Sequence, residues 1–208
     1  MDIKPANENL LGLVDKARSG KIVLPRFQRN FVWSRSDITD LIVSILEGYF
    51  IGSFLMLDTD KDNVPFAMRP IQGVELRDEE LSPEWMILDG QQRLTSLHYV
   101  FAAPSRVFMR YTKNSYRFFL NLEKVAQHEI EEAVWSDLVD YTYVQEYLNR
   151  QRQFETLQVP FTELEDWDDW RDSYEDWLWA YDRGAFEKYR EYYRPAWNQY
   201  LKRLETFS

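Results

Sequence analysis

The sequence predicts an α+β domain in which a small mixed sheet spans residues 20–121 and a helical subdomain follows. Two observations favour this class. Up to residue 121, short apolar runs of strand type alternate with stretches whose apolar side chains recur every three to four residues. From about residue 123 onward the pattern is helical. We therefore expect domains at residues 1–121 and 122–208, the second continuing into a longer protein.

The chain begins with a helix and a short strand. Apolar side chains recur at helical spacing through residues 7–19, and Gly20 stops the helix. Residues 21–24 form a short strand, which Pro25 ends. An irregular loop over residues 25–33 follows and carries aromatic, Gln and Arg side chains.

A second helix and a second strand come next. Ser36 or Asp37 caps the helix, whose apolar stripe ends just before Gly48. Residues 53–58 are predicted as a buried strand. Residues 59–84 form a long loop with several Pro, and a loop of that length in a compact domain is usually functional, mobile or both.

The third helix follows a strand directly. The apolar residues 85–88 are of strand type, Gly90 gives a sharp turn, and a helical pattern covers residues 91–102. After that helix, residues 106–111 and 116–120 are predicted to pair as a hairpin.

The remaining chain is rich in Trp, Tyr and acidic residues. Residues 163–182 alternate indoles with carboxylates, which favours an amphipathic helix with aromatics in the core and acids in water. The alternative is a DNA mimic that occupies the basic groove of a nuclease. Residues 183–207 form one long amphipathic helix whose aromatic face needs a partner surface, either within the protein or in a homo-oligomer.

The composition excludes several kinds of site. The chain of 208 residues contains no Cys, so we expect neither a disulfide framework nor a thiolate metal site. We see no signal peptide and no apolar run long enough for a membrane helix, so we expect a cytoplasmic protein with no membrane contact. The net charge of −10 argues against a basic nucleic-acid-binding face, so any polyanion contact would be local.

The most informative motif is the turn Asp89-Gly90-Gln91-Gln92-Arg93. It lies at a strand-to-helix junction, where free N–H groups and the positive end of the helix dipole suit a phosphate or another anion. Arg93 adds a planar fork of donors that matches phosphate oxygens, and Asp89 could hold a metal ion or a water. On these five residues alone, a helix cap followed by solvated side chains explains the pattern equally well.

A second Gln–Arg pair, Gln28-Arg29, lies on the loop that leaves the first strand. On its own it would be a surface turn with aromatic anchors. The two elements together favour one pocket, in which both pairs converge to hold a triphosphate. The test of this expectation is whether the guanidinium groups of Arg29 and Arg93 lie beside the same cleft.

The combined motifs resemble the N-terminal domain of GmrSD-type restriction proteins, a family with a ParB/sulfiredoxin-like fold. The resemblance rests on four segments in order: LPRFQRNFVW at residues 24–33, LIVSILEG at 41–48, IGSF at 51–54 and ILDGQQRLTSL at 87–97. It covers roughly residues 7–103, about half the chain.

This resemblance implies a module that binds and hydrolyses a nucleoside triphosphate (GTP, ATP or CTP) with Mg²⁺. Hydrolysis in the family is coupled to control of DNA cleavage in antiphage defence, directed at modified DNA or at DNA lacking the host's mark. The implied partners are the nucleotide, DNA through other domains, and a nuclease domain or subunit.

The motifs carry over residue by residue. The implied catalytic residues are Asp89, Gln91, Gln92 and Arg93, and Asp89 would also bind the metal. The implied nucleotide-binding residues are Gln28, Arg29, Gly90, Arg93 and Thr95.

Other catalytic classes have no matching motif. The sequence contains no P-loop, no nucleophile elbow, no H-E-x-x-H and only two His residues. Of these, His98 is predicted to pack near the core rather than to bind metal. Two alternatives stay open: a module of the same fold that binds DNA or a partner without hydrolysis, and an aromatic-rich structural interaction domain.

Overall fold

The computed structural model describes residues 9–59, 66–104 and 109–205. Its α-helices are α1 (Leu10–Arg18), α2 (Arg35–Glu47), α3 (Gln91–Ala102), α4 (Leu122–Ala126), α5 (Ile130–Ala133), α6 (Thr142–Glu146), α7 (Arg150–Thr156), α8 (Trp167–Tyr181), α9 (Arg183–Lys188) and α10 (Arg194–Glu205). Its strands are β1 (Ile22–Pro25), β2 (Leu55–Asp58), β3 (Met68–Arg69), β4 (Trp85–Asp89), β5 (Tyr116–Asn121), β6 (Val134–Leu138) and β7 (Gln158–Pro160). The predicted α+β class with a helical C-terminal part is confirmed.

The first sheet is mixed and has the strand order β2-β4-β1-β3. The central strands β1 and β4 are parallel, with Ile22 opposite Trp85, while β2 and β3 pair antiparallel at the edges. All four residues of β1 are buried, as its apolar sequence requires. By contrast, β2 is partly exposed, so the prediction of a buried strand there is wrong; its position at the sheet edge is the reason.

The second sheet is antiparallel and has the order β6-β5-β7. It corrects two predictions. β5 pairs with β6 and β7 rather than with residues 106–111, of which 106–108 lie outside the described residues and 109–111 form a turn. The region predicted as helical from residue 123 contains two of the three strands. The sheet therefore draws on both sides of residue 121, and the proposed domain division stays a prediction.

One contiguous buried cluster joins both parts of the chain and extends from Leu10 to Leu204. Helix α10 packs against α1, α2 and α4, and Trp197 donates a hydrogen bond of 2.7 Å to the carbonyl oxygen of Leu122. Arg203 also donates to the carbonyl oxygen of Leu46, at the carboxyl end of α2, where the helix dipole favours a cation. The aromatic face of the last helix is thus covered within the chain.

Two helix boundaries differ from the predictions. Ser34, rather than Ser36 or Asp37, caps α2, because its side chain accepts from the Asp37 N–H while the Asp37 carboxylate accepts from the Ser34 N–H. The helix predicted over residues 183–207 is two α-helices joined by a π-helical turn at Tyr189–Tyr193. Helix α3, by contrast, spans the predicted residues.

Candidate functional site

The carboxyl ends of two neighbouring parallel strands form the candidate site. Since β1 and β4 pair in parallel, the loop after Pro25 and the turn after Asp89 emerge at the same edge of the sheet. Between them lies a cleft of about 430 Å³. The residues that line it are Phe27, Gln28, Arg29, Trp33, Leu88, Asp89, Gly90, Gln91, Gln92 and Arg93. Both Gln–Arg pairs therefore border one cleft, as the sequence predicted.

Polar side chains fix the loop after β1 against the sheet. Gln28 donates from Nε2 to the carbonyl oxygens of Ile87 and Leu88, at 2.9 Å each. Arg69, on β3, donates from Nη2 to the carbonyl oxygens of Gln28 and Arg29, at 3.1 and 3.3 Å. Burial lowers the pKa of Arg69, and the nearby Arg26 charge adds to the effect. The amide nitrogen of Gln28 is thus committed to holding the loop.

The two adjacent glutamines of the motif have different surroundings. Gln92 is only 8% exposed; its Oε1 accepts from the Val32 N–H at 2.9 Å and its Nε2 donates to the Asn30 carbonyl at 3.2 Å. Gln91 is partly exposed, and its Nε2 donates to the Arg29 carbonyl at 3.1 Å. The Gln91 Oε1 has no hydrogen bond within the described part of the chain, so it is available to a water or a ligand.

Arg93 is largely occupied by the protein itself. Its Nη1 donates to the Ile51 carbonyl at 2.6 Å, its Nη2 donates to the Ser53 carbonyl at 2.8 Å, and the guanidinium lies 5.1 Å from the centre of the Phe54 ring. Gly52, between the two carbonyls, has φ +89°, and a Cβ there would lie 2.3 Å from Nη1. Arg93 therefore ties the segment before β2 to the first turn of α3.

The amino end of α3 opens into the cleft. Gly90 is its N-cap with φ 94°, and no side chain caps the helix. The first helical bond runs from the Leu94 N–H to the Gly90 carbonyl, so the N–H groups of residues 91–93 have no acceptor within the helix. A Cβ at position 90 would lie 2.5 Å from Phe54, which is why only glycine fits this turn.

Asp89 is the carboxylate nearest to this helix end. Its side chain is 75% exposed and lies 3.4 Å from Arg93 Nη2. Among the residues that the structure describes, no group of three or more His, Cys, Asp or Glu side chains could hold a metal. One carboxylate fits Mg²⁺ only where phosphates and waters supply most of the oxygens, which is the usual arrangement for a nucleotide-bound Mg²⁺.

Arg29 is the cation that the cleft offers to a ligand. The residue is exposed, and its guanidinium makes no hydrogen bond or ion pair to any part of the chain that the structure describes. Its backbone carbonyl is held by Gln91 and Arg69, so the side chain projects from a fixed point. Arg29 and Arg93 thus border one cleft but differ in what they can bind.

One predicted site residue lies elsewhere, and several contributors were missed. Thr95 is 2% exposed and does not line the cleft, because it lies one turn beyond Gln91 along the same face of α3, where the helix is buried. The sequence did not single out Phe27 or Trp33 as lining residues. It also missed Arg69, which no motif within the long loop could have indicated.

His98 is buried in the core, as predicted. It is 3% exposed, and neither ring nitrogen has a hydrogen-bond partner among the described residues. Burial lowers its pKa to about 4, so the ring is neutral at neutral pH. The other histidine, His128, shares a hydrogen bond of 3.0 Å with the hydroxyl of Tyr200.

The Trp- and Asp-rich segment forms the amphipathic helix α8. Trp167, Trp170 and Tyr174 are buried, and the acidic side chains lie on the opposite face. Arg150 lies 3.0 Å from Asp169 in one of several ion pairs along this segment. These contacts favour the core interpretation over a DNA mimic. No helix in the described residues has both the length and the apolar character needed to cross a membrane.

Comparison with known proteins finds a family model that matches nearly the whole chain and a relative that matches most of it. The family model of the GmrSD restriction endonuclease N-terminal domain matches residues 10–206. An uncharacterized protein of Methanocaldococcus jannaschii is 40% identical over 158 residues, which cover 74% of this chain and 27% of that relative. The chain thus spans about a quarter of the length of this relative.

Proposed function

The chain belongs to the GmrSD restriction endonuclease N-terminal domain family, which makes it a component of a restriction system, and we propose that it binds and hydrolyses nucleoside triphosphates there. The proposed ligand is GTP, ATP or CTP with Mg²⁺. One observation carries the proposal: two groups of anion-binding residues, far apart in sequence, border a single cleft at the amino end of a helix.

The triphosphate is bound by positive groups that have no partner among the residues the structure describes. The free N–H groups at the start of α3 and the positive end of its dipole suit phosphate oxygens. Arg29 supplies an exposed guanidinium from the facing loop, and Gly90 allows the phosphates to approach the backbone. A Mg²⁺ ion, held by Asp89 and the phosphates, would neutralise part of the triphosphate charge.

Hydrolysis needs a water that is aligned with the bond to be broken. The Oε1 of Gln91 is available to accept a hydrogen bond from that water, while its Nε2 is anchored on the Arg29 carbonyl. We assign Gln92 and Arg93 to positioning, because Gln92 holds the loop after β1 and Arg93 holds the segment before β2. The chemistry is then divided between Gln91, Arg29 and the helix end.

The nucleotide would control DNA cleavage by a nuclease that lies in another domain or subunit. Two features support this division. The described residues provide no cluster of metal-binding side chains of the kind that metal nucleases use. The relative in Methanocaldococcus jannaschii is about four times as long as the matched segment, which leaves room for further domains in such proteins.

Thermal unfolding with and without nucleotide tests the proposal. GTP, ATP or CTP with Mg²⁺ at 100 times Kd should stabilise the fold by about 2.7 kcal/mol and raise its melting temperature. Arg29→Ala should abolish this rise. Arg77→Ala is the matched control, because Arg77 is also exposed but pairs with Glu80 and does not line the cleft.

Release of inorganic phosphate, measured with the same variants, tests hydrolysis separately. The wild-type chain should release phosphate from at least one of the three nucleotides, and Gln91→Ala should slow release without preventing the thermal shift. If no nucleotide raises the melting temperature of the wild-type chain, the proposed function is wrong.

A further inference from the structure

An exposed aromatic ring stands at the mouth of the proposed nucleotide cleft. Phe27 lines the cleft, yet 68% of it is exposed to solvent. It directly precedes Gln28 and Arg29, so the ring and the proposed phosphate-binding guanidinium belong to one loop. An exposed aromatic beside a phosphate site provides a face on which a nucleobase can stack.

This ring is held in place by a neighbouring loop. Phe66 contacts it edge-on, with ring centroids 5.2 Å apart and planes at 88°. The backbone is fixed as well, because the Arg26 N–H donates to the Ala67 carbonyl at 2.8 Å and the Arg26 Nε donates to the Met68 carbonyl at 3.0 Å. A fixed ring loses little conformational entropy when a ligand stacks on it.

The polar groups of the cleft are too few to distinguish one base from another. Most polar side-chain atoms of the cleft already bind main-chain groups. They are the Nε2 of Gln28, both amide atoms of Gln92 and both terminal nitrogens of Arg93. The groups left for a ligand are Arg29, the Gln91 oxygen, the Asp89 carboxylate and the free N–H groups of α3, which the phosphates, the metal and the attacking water require. The Gln28 Oε1 has no partner among the described residues, but it is buried. Reading a base by its edge needs further donors and acceptors.

We infer that Phe27 is the stacking platform for the nucleobase and that the cleft accepts nucleoside triphosphates with little discrimination between bases. This inference rests on the proposed function, since it assigns the base end of the same ligand. Stacking explains how a cleft with few free polar groups can hold a whole nucleotide. Because every base has an aromatic face, affinity follows ring size more than hydrogen-bonding pattern.

Calorimetric titration of the full chain with Mg²⁺ and two kinds of probe tests the inference. Inorganic triphosphate reports the phosphate subsite alone, whereas GTP, ATP, CTP and UTP report both subsites. Each nucleotide should bind about 5- to 150-fold more tightly than inorganic triphosphate, the range expected for one stacked base. The four nucleotides should differ among themselves by less than about tenfold.

Variants of Phe27 make the test specific. Phe27→Ala should weaken nucleotide binding to the level of inorganic triphosphate and leave triphosphate binding unchanged. Phe27→Tyr should retain the affinity, since it keeps the ring. Phe50→Ala is the matched control, because Phe50 is 82% exposed but does not line the cleft.

The outcomes separate this inference from the proposed function. If inorganic triphosphate binds as tightly as the nucleotides and Phe27→Ala has no effect, stacking is refuted while the nucleotide site stands. If one nucleotide binds more than about tenfold better than the others, base tolerance is refuted. If neither triphosphate nor any nucleotide binds, the proposed function itself fails, and this inference with it.

Discussion

Replacing the two adjacent glutamines one at a time separates the structural role of the motif from its chemical role. Gln92→Ala removes two hydrogen bonds, to the Val32 N–H and the Asn30 carbonyl, from a side chain that is 8% exposed. Leaving a buried polar group unpaired costs about 1–3 kcal/mol, so the loss for the two groups is about 2–6 kcal/mol. Gln91→Ala removes one bond at an exposed position and costs less than about 1 kcal/mol.

Urea unfolding, followed by tryptophan fluorescence, measures the stability of both variants. Phosphate release at saturating nucleotide measures their activity. Gln92→Ala should lower the unfolding midpoint, and Gln91→Ala should lower kcat with little change in stability. Equal stability losses for the two variants would refute the distinction, and so would a Gln91→Ala variant with undiminished kcat.

Three further predictions concern the packing around the cleft and the core. Gly52→Ala should destabilise the fold by about 1–3 kcal/mol in urea unfolding, because φ is positive and the new Cβ would meet Arg93. Gly12→Ala, where no atom of the described residues lies closer than 3.7 Å to the new Cβ, should be neutral or stabilising. His98 has a pKa of about 4 in the folded protein, below its ordinary 6.5, so its contribution to folding stability is complete above pH 6.5 and is lost as pH falls toward 4, on the order of 3 kcal/mol in all. His98→Leu should remove that part of the pH dependence of unfolding. An unchanged plot of stability against pH would contradict the assignment. Arg203→Ala should lower stability by about 1 kcal/mol, because the carboxyl end of α2 loses a charged donor, whereas a silent substitution would show that this contact contributes nothing.

The sequence predicted the elements whose signals are local. Helix α3 has a Gly before it and apolar side chains at regular spacing, and its bounds were predicted correctly. The partners of β5 could not be predicted in this way, because two helices separate β5 from β6, and β7 is short and lies far along the chain. Pairing over such distances depends on the packed core rather than on neighbouring residues. The cap of α2 was misplaced by two or three residues because Ser34, Ser36 and Asp37 all suit that position.

The cleft was predicted from its motifs, but the role of each residue in it was not. Sequence alone treats Gln91 and Gln92 as equivalent. Both bind the loop after β1, but Gln92 is buried with both amide atoms hydrogen-bonded, whereas only the nitrogen of Gln91 is bonded. The motif suggests that Arg93 binds phosphate, whereas in the fold its guanidinium donates hydrogen bonds to two backbone carbonyls. Which donors remain free depends on contacts between segments that are separated in the chain, so only coordinates could assign them.

The parallel pairing of β1 with β4 also has a consequence for how the protein is made. During synthesis the loop carrying Phe27 leaves the ribosome well before Trp85, whose strand must arrive before Ile22 has its parallel neighbour. Contacts of such long sequence separation form slowly, since a large loop must close first. A nascent chain that stalls between these strands would expose an apolar strand with a bare edge, a form that is prone to aggregate.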